Sequence, residues 1–445
     1  MKKRIIACLL AAALLCSGLS ALAAAPALNS GAACLMDAET GQVLYEKDAH
    51  TQMPMASITK VMTALLVIEK GDLNATTVAT AEAINSVDLQ STRVGFEPGE
   101  QLGVEELMYC MLVDSANDAA NILASYVAGD VASFVEMMNQ RAAELGCTHT
   151  QFANPNGLDA DGHYTCAHDM AIITQEANRH PEFAKYSSAV TYQLPADNVI
   201  GEGWQVWTKV DMFKQDSPAY DARVYAAKTG WTTNAHNTFV ACGKSDYGSF
   251  IVTVLNCPVK NGIFLDTTAL LNYAEQEYQT ITVVAADYEK EAKKAAKKAG
   301  CKIDTDALED ITLRLPKGMD TDALTYTCKI DGDSAQLAIL IAEDSRAAYT
   351  AATGLDGAQP LQYVSLPLGQ KGMSEDTGSA AAASIDDGAA AGIAAQIPNT
   401  AWNIMVIAAV VIGAVVLLVV LLFLLGLYRH IRHRKRRRSR RKTRR

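Results

Sequence analysis

Three short groups of residues in this 445-residue chain carry side chains that could do covalent chemistry: Ser57-Ile58-Thr59-Lys60, Ser115-Ala116-Asn117 and Lys228-Thr229-Gly230. A serine hydroxyl attacks a carbonyl only when a neighbouring base takes its proton. Lys60 falls one helical turn after Ser57 on the same face, so its amine can reach that proton. To act it must be neutral, and burial or a second positive charge lowers a lysine pKa. Lys228 can supply that charge. Ser115 can pass a proton to a leaving amine, and the Asn117 carboxamide can hold a substrate amide by donor and acceptor together. Lys228 and Thr229 can grip a terminal carboxylate. Gly230, without a side chain, lets a substrate backbone lie beside the strand. The N–H groups of Ser57, at a helix start, and of Trp231 can hold an oxyanion. The chemistry expected is acyl transfer through a serine ester. No group is diagnostic alone: Ser439 and Lys442 repeat the first spacing inside a run of arginines. Order and context carry the reading, with the first group on a helix start, the second between helices and the third on a strand.

The elements that must hold these groups are legible in the hydrophobic pattern. Two apolar runs around Asp37-Ala38-Glu39-Thr40-Gly41 predict a hairpin over 33–48. From Ser57 the residues Val61, Ala64, Leu65 and Ile68 recur at helical spacing until Gly71. Helices are predicted over 104–112, 118–128 and 131–145, and Asn154-Pro155-Asn156-Gly157 reads as a turn. Strands are predicted over 204–210, 224–228, 238–242 and 250–255, then a helix over 265–278. Strands at both ends and helices between them imply an α+β fold, a largely antiparallel sheet packed on helices. This catalytic domain is assigned to 26–278. A smaller β-rich domain follows over 279–368, with one helix over 288–299 whose lysines form a solvated face.

Composition separates the ends from the body. The formal net charge is −10, yet residues 428–445 carry 12 Lys/Arg and no acid. Outside that tail and the first 25 residues, 24 basic residues face 49 acidic ones. Such a body repels phosphates, so nucleic acid is not an expected partner. Residues 1–25 read as a signal peptide, with Lys2, Lys3 and Arg4 before an apolar run and Ala21-Leu22-Ala23 as the cleavage signal. Residues 369–401 are rich in Ala, Gly, Ser and Asp and read as a flexible linker. Residues 402–428 read as a transmembrane helix, uncharged from Ile404 to Leu427 and edged by Trp402 and Tyr428. The basic tail over 429–445 would then stay cytoplasmic, and everything between signal and span would face outward at the cell membrane. Eight cysteines remain after the signal: Cys147 with Cys166 and Cys301 with Cys328 are possible pairs, and free buried thiols are equally open. No C-x-x-C or H-E-x-x-H occurs, so neither a metal nor a cofactor is expected.

Beyond the three groups, the chain resembles the serine D-alanyl-D-alanine carboxypeptidases, the low-molecular-mass penicillin-binding proteins. The likeness runs through MDAETGQVLYEKDA (36–49), PMASITKVMTALL (54–66), FEPGEQLGVEELMYCMLVDSANDAAN (96–121) and FANPNGLDADGHYTCAHDMA (152–171). It implies a β-lactamase-like catalytic fold and, more loosely through ITLRLPKG (311–318), the β-rich C-terminal domain of these enzymes. It further implies that Ser57 is acylated by peptidoglycan stem peptides, with release of the terminal D-alanine, and by β-lactams acting as inhibitors.

The sequence departs from the family pattern at Asn156, where histidine is common, at Tyr225, where aspartate is common, and at Ala235-His236, where Ala-Gly is usual. The motif residues themselves are intact. Three alternatives share the resemblance: a D,D-endopeptidase, a catalytically weak wall-binding homologue, and a β-lactamase. The last is disfavoured, because between Asn117 and Lys228 no glutamate is followed four residues later by asparagine, the usual deacylating pair. His163 and His168 are expected to be solvated or structurally hydrogen-bonded loop residues.

Overall fold

The computed structural model describes residues 25–199, 203–332 and 334–369. The expected signal peptide, linker, transmembrane helix and basic tail lie outside these residues, apart from residues 25 and 369. Among the described residues no helix is long and apolar enough to cross a membrane.

Strands β1 (Ala32–Asp37) and β2 (Val43–Lys47) form the predicted hairpin. A short 3-10 turn, Ala56–Thr59, leads into helix α1 (Lys60–Lys70). A small hairpin of β3 (Thr76–Val78) and β4 (Gln101–Gly103) encloses the short helix α2 (Ala81–Asn85). Helix α3 (Val104–Tyr109) ends in one π-turn, Cys110–Asp114, before α4 (Asn117–Ala128) and α5 (Val131–Glu144). Helices α6 (Ala167–Asn178) and α7 (Pro181–Ser187) follow, then a second small hairpin of β5 (Thr191–Gln193) and β6 (Gln205–Trp207). The strands β7 (Val224–Thr232), β8 (His236–Ser245) and β9 (Gly248–Cys257) and helix α8 (Gly262–Glu277) complete this part.

The main sheet is antiparallel in the order β2-β1-β9-β8-β7. Every residue of β1 is buried, because both faces of the sheet are covered. Cys34 and Met36 face one hydrophobic core with the α1, α4 and α6 side chains. Ala33 and Leu35 face a second core with α8. The alternation of side chains along a strand makes these two faces distinct. Strand β7 ends the sheet, so one of its edges has no strand neighbour.

The structure corrects the sequence reading in several places. Helix α6 was unexpected, and His168 lies in its first turn rather than in a loop. Met170, Ala171, Ile173 and Ala177 are buried together with the polar Asp169, Thr174 and Gln175, so no apolar stripe stands out in the sequence. The helix expected over 104–112 breaks at Tyr109 into the π-turn. The strand expected over 204–210 shrinks to Gln205–Trp207, while β7 runs on to Thr232. The sequence leaves two cysteine states open, and all eight described cysteines are free, six of them buried.

Residues after α8 form two further sheets. Strand β10 (Tyr278–Val283) pairs with β11 (Ile311–Pro316), and helix α9 (Ala285–Ala299) lies between them in sequence. Strands β12 (Leu324–Asp331), β13 (Ser334–Ile341) and β14 (Pro360–Leu366) form the other sheet, with helix α10 (Arg346–Thr353) before β14. Their core holds Val283, Tyr288, Leu313, Leu337 and Ile339.

One buried arginine joins this unit to the main sheet. Arg314 donates from Nε to Asp37 Oδ2 at 2.8 Å and from Nη1 to Thr280 Oγ1 at 2.6 Å. Its backbone N–H and C=O pair with the Gln42 carboxamide at 2.8 and 2.7 Å. Removing one partner of a buried ion pair strands the other charge. Arg314→Ala is therefore expected to destabilise the protein by about 3–5 kcal/mol, read from denaturant unfolding. A loss under about 1 kcal/mol, the level of a surface pair, would show that the two units do not depend on this contact.

Candidate active site

The nucleophile turn is shaped by steric constraint. Ala56 adopts φ 51°, a left-handed conformation that costs a residue with a Cβ. A hydrogen-bond relay holds it there. The N–H of Ala153 donates to His163 Nδ1 at 3.0 Å, so the ring proton sits on Nε2, 2.9 Å from Thr59 Oγ1. The Thr59 hydroxyl then donates to Ala56 O at 2.8 Å. Burial, aided by the nearby Lys60 charge, pushes the His163 pKa down to about 4, which keeps the ring neutral. His163 is thus the structurally bonded histidine expected, and buried rather than solvated.

Two glycines pack against the same turn. A Cβ on Gly157, whose φ is +90°, would lie 2.1 Å from Ala56 O, and one on Gly230 would lie 2.8 Å from Ser57 N and 2.4 Å from Thr238 Oγ1. Gly230 is therefore required by Thr238 and by the nucleophile turn beneath it, a constraint that no sequence motif reveals.

Lys60 is fully buried. Its Nζ lies 2.9 Å from Ser57 Oγ and 2.6 Å from Asn117 Oδ1, and it also meets the Asn156 carbonyl. An ammonium can donate to all three. A neutral amine has only two N–H bonds, and both are claimed by Asn117 Oδ1 and Asn156 O, which cannot donate. Its lone pair then faces the Ser57 hydroxyl. Burial lowers the Lys60 pKa well below the usual lysine range, and the charges of Lys228 and Lys209 lower it further. The Asn117 acceptor is thus spent on Lys60, leaving its amide nitrogen to offer a substrate. The backbone carbonyl of Asn156 was not anticipated as part of the site. No signal marks it, since its type matters less than the turn that aims its C=O.

Ser115 follows the π-turn at φ 68°, an uncommon conformation for serine. This aims its hydroxyl at Lys228 Nζ, 3.0 Å away, and Lys228 also donates to Thr229 O at 2.8 Å. Burial and then the Lys209 charge bring the Lys228 pKa down to about 7. Lys209, 3.3 Å from Asp114, is the second cation that the sequence reading missed. It sits alone beside a short strand without any motif.

These groups meet at a cavity of about 350 Å³ lined by Ser57, Ser115, Thr229, Gly230 and Trp231, with Lys209 and Lys260 on its wall. Lys60, Asn117 and Lys228 lie buried behind that surface. All eight expected residues therefore converge, five at the cavity and three beneath it. Two departures from the family pattern have partners: the Tyr225 hydroxyl donates to Asn178 Oδ1 at 3.0 Å, and His236 Nδ1 lies 2.7 Å from Asn256 Oδ1. Among the described residues, neither grouping of side chains suited to a metal ion includes a residue lining this cavity.

Comparison with known proteins agrees with this arrangement. The model of the D-alanyl-D-alanine carboxypeptidase family matches residues 20–259. The D-alanyl-D-alanine carboxypeptidase DacF of Bacillus subtilis is 30% identical over 303 residues, 67% of this chain and 75% of that protein. DacB2 of Mycobacterium tuberculosis is 33% identical over 228 residues, 51% of this chain and 74% of its own length. A crystal structure of a Mycobacterium tuberculosis D-alanyl-D-alanine carboxypeptidase aligns with TM-score 0.52 and 27% identity, covering 57% of this chain and 94% of that one. Penicillin-binding protein 6B of Escherichia coli, at 22% identity, shares the fold with TM-score 0.57 over 78% of this chain and 98% of that one. That span exceeds residues 26–278, so the likeness of fold reaches into the β-rich unit. The chain belongs to the D-alanyl-D-alanine carboxypeptidase family of serine peptidases.

Proposed function

We propose that this protein removes the terminal D-alanine from peptidoglycan stem pentapeptides through an acyl-enzyme at Ser57, and that β-lactams acylate the same serine. The observation that carries the reading is the buried Lys60 amine, 2.9 Å from Ser57 Oγ, whose other partners are neutral acceptors. Lys60 takes the Ser57 proton as Oγ attacks the carbonyl of the penultimate D-alanine. The N–H groups of Ser57 and Trp231 receive the oxyanion. Ser115, held by Lys228, returns a proton to the departing amine. Strand β7 offers its free edge to the substrate backbone, as strand addition requires. Thr229, with Lys209 and Lys260 on the wall, receives the terminal carboxylate. Water then hydrolyses the ester.

The reading extends to the ends of the chain. A cleaved signal over 1–25 and an anchor over 402–428 would place the catalytic unit on the outer face of the cell membrane, with the linker over 369–401 giving it reach to wall peptides. The charge-free run from Ile404 to Leu427, followed by the arginine-rich tail, supports this topology.

The protein should release D-alanine from a pentapeptide ending in D-Ala-D-Ala and form a stable adduct with labelled penicillin. Ser57→Ala should abolish both, and Lys60→Ala should slow acylation by about 10²–10⁴-fold, the usual worth of a positioned base. Absence of a penicillin adduct on the folded wild type would refute the proposal. An adduct without D-alanine release would redirect it to cross-link cleavage.

The pH profile of penicillin acylation tests the lysines separately. Acylation should rise with pH as Lys60 loses its proton, and fall once Lys228, with its pKa near 7, loses its charge. Lys209 lowers both pKa values. Lys209→Met should therefore move both limbs to higher pH. An unmoved profile would mean that neither amine controls the rate.

A further inference from the structure

Away from the catalytic cavity, three segments bring a second group of reactive side chains together. His50 lies between β2 and the nucleophile turn, His149 follows α5, and Cys166 caps α6. One ligand atom from each of His50, His149 and Cys166 lies within 4.8 Å of the other two. The His168 ring stands 4.7 Å from the His50 ring. In sequence these residues share no spacing that reads as a metal motif.

The segments are pinned to one another by backbone bonds. Met53 and Thr165 exchange hydrogen bonds at 2.7 and 3.0 Å, Gln151 and Tyr164 at 2.9 and 3.0 Å, and His168 N–H donates to Ala49 O at 3.0 Å. Outer partners orient the rings. Thr148 Oγ1 lies 3.1 Å from His149 Nδ1. Glu46 Oε1 lies 3.2 Å from His50 Nε2. The buried Asp169 carboxylate fixes the loop instead: it accepts from the backbone N–H of His149 at 2.8 Å and from Thr150 Oγ1 at 2.9 Å, and lies 3.6 Å from His168 Nδ1. Carboxylates and hydroxyls behind ligating histidines are the usual support of a metal centre. The other grouping, Glu69, Glu176 and His180, lacks this character. Arg141 already lies 2.7 Å from both carboxylates and neutralises them.

The structure assigns to His50, His149 and Cys166 a binding site for one zinc-class transition-metal ion. Two imidazoles and a thiol select zinc-like ions over magnesium or calcium, which take oxygen ligands. On binding, the Cys166 thiol releases its proton to solvent and ligates as thiolate. The ion would tie the chain just before Ser57 to the segment that carries the Asn156 carbonyl to Lys60. Its role is a clamp on the frame of the site, outside the reaction itself.

The test uses the full chain and Zn²⁺ or Co²⁺ alone. Equilibrium dialysis should show one saturable Zn²⁺ per wild-type chain, weakened at least about tenfold in His50→Ala and in His149→Ala, since even outer-shell changes cost 10–100-fold. Co²⁺ should give a thiolate charge-transfer band that Cys166→Ser abolishes. Zn²⁺ should raise the Tm of the wild type and not of the His50→Ala/His149→Ala double variant. Both histidines are only partly buried or exposed, so these variants should melt normally without metal, and they decide the matter even if Cys166→Ser fails to fold. Absence of saturable Zn²⁺ binding by the wild type, or undiminished binding by the double variant, would overturn the assignment.

Discussion

A lysine amine taken out of water without a contacting carboxylate governs the arrangement of this protein. Lys60 is sealed among neutral oxygens from three separate segments. Desolvation makes its charged form costly. The nearby Asp118 carboxylate eases that cost only in part; it touches not the amine but the N–H groups of Val94, Gly95 and Phe96. The amine is left poised toward neutrality, and the neutral amine has one geometry that satisfies its donors. Everything around it serves to keep that geometry dry and fixed.

The frame follows from that need. The nucleophile turn is wedged between Gly157 and Gly230, held by the His163–Thr59 relay, and tied to β8 through Thr238 Oγ1, which donates to Met55 O at 2.8 Å. The two covered faces of the sheet remove freedom from the strand that carries Lys228. The π-turn spends regular helix geometry to set Ser115 opposite that strand. Such local irregularity is common where a helix meets a functional site.

Much of this was legible in the sequence, for definable reasons. The hairpin and the long strands announce themselves as apolar runs bounded by turn residues, and α1 through Val61, Ala64, Leu65 and Ile68 recurring at helical spacing up to Gly71. The motif residues are legible because their chemistry fixes residue type. Helix α6 is not, since the buried polar residues Asp169, Thr174 and Gln175 break up its apolar spacing. The carbonyl of Asn156 and the charge of Lys209 were not, since a backbone atom carries no letter and a lone lysine carries no motif. Gly230 reads in the sequence as access for substrate, whereas in the fold a side chain there would collide with Thr238 Oγ1 and with Ser57 N. Pattern reveals what repeats or reacts, and it is silent about what is merely adjacent in space.

The sheet places its first strand beside its last: Ala32 pairs with Leu255 and Asp37 with Phe250. Contacts this remote in sequence form slowly, because the loop they close must be ordered first. As the chain is synthesised from its N-terminus, Ser57 and Lys60 emerge long before β7, β8 and β9 exist to enclose them. Until then Lys60 lacks the Lys228 charge that lowers its pKa, and the nucleophile turn lacks the support of Gly230 and Thr238. The topology thus makes the nucleophile wait for strands that are synthesised well after it.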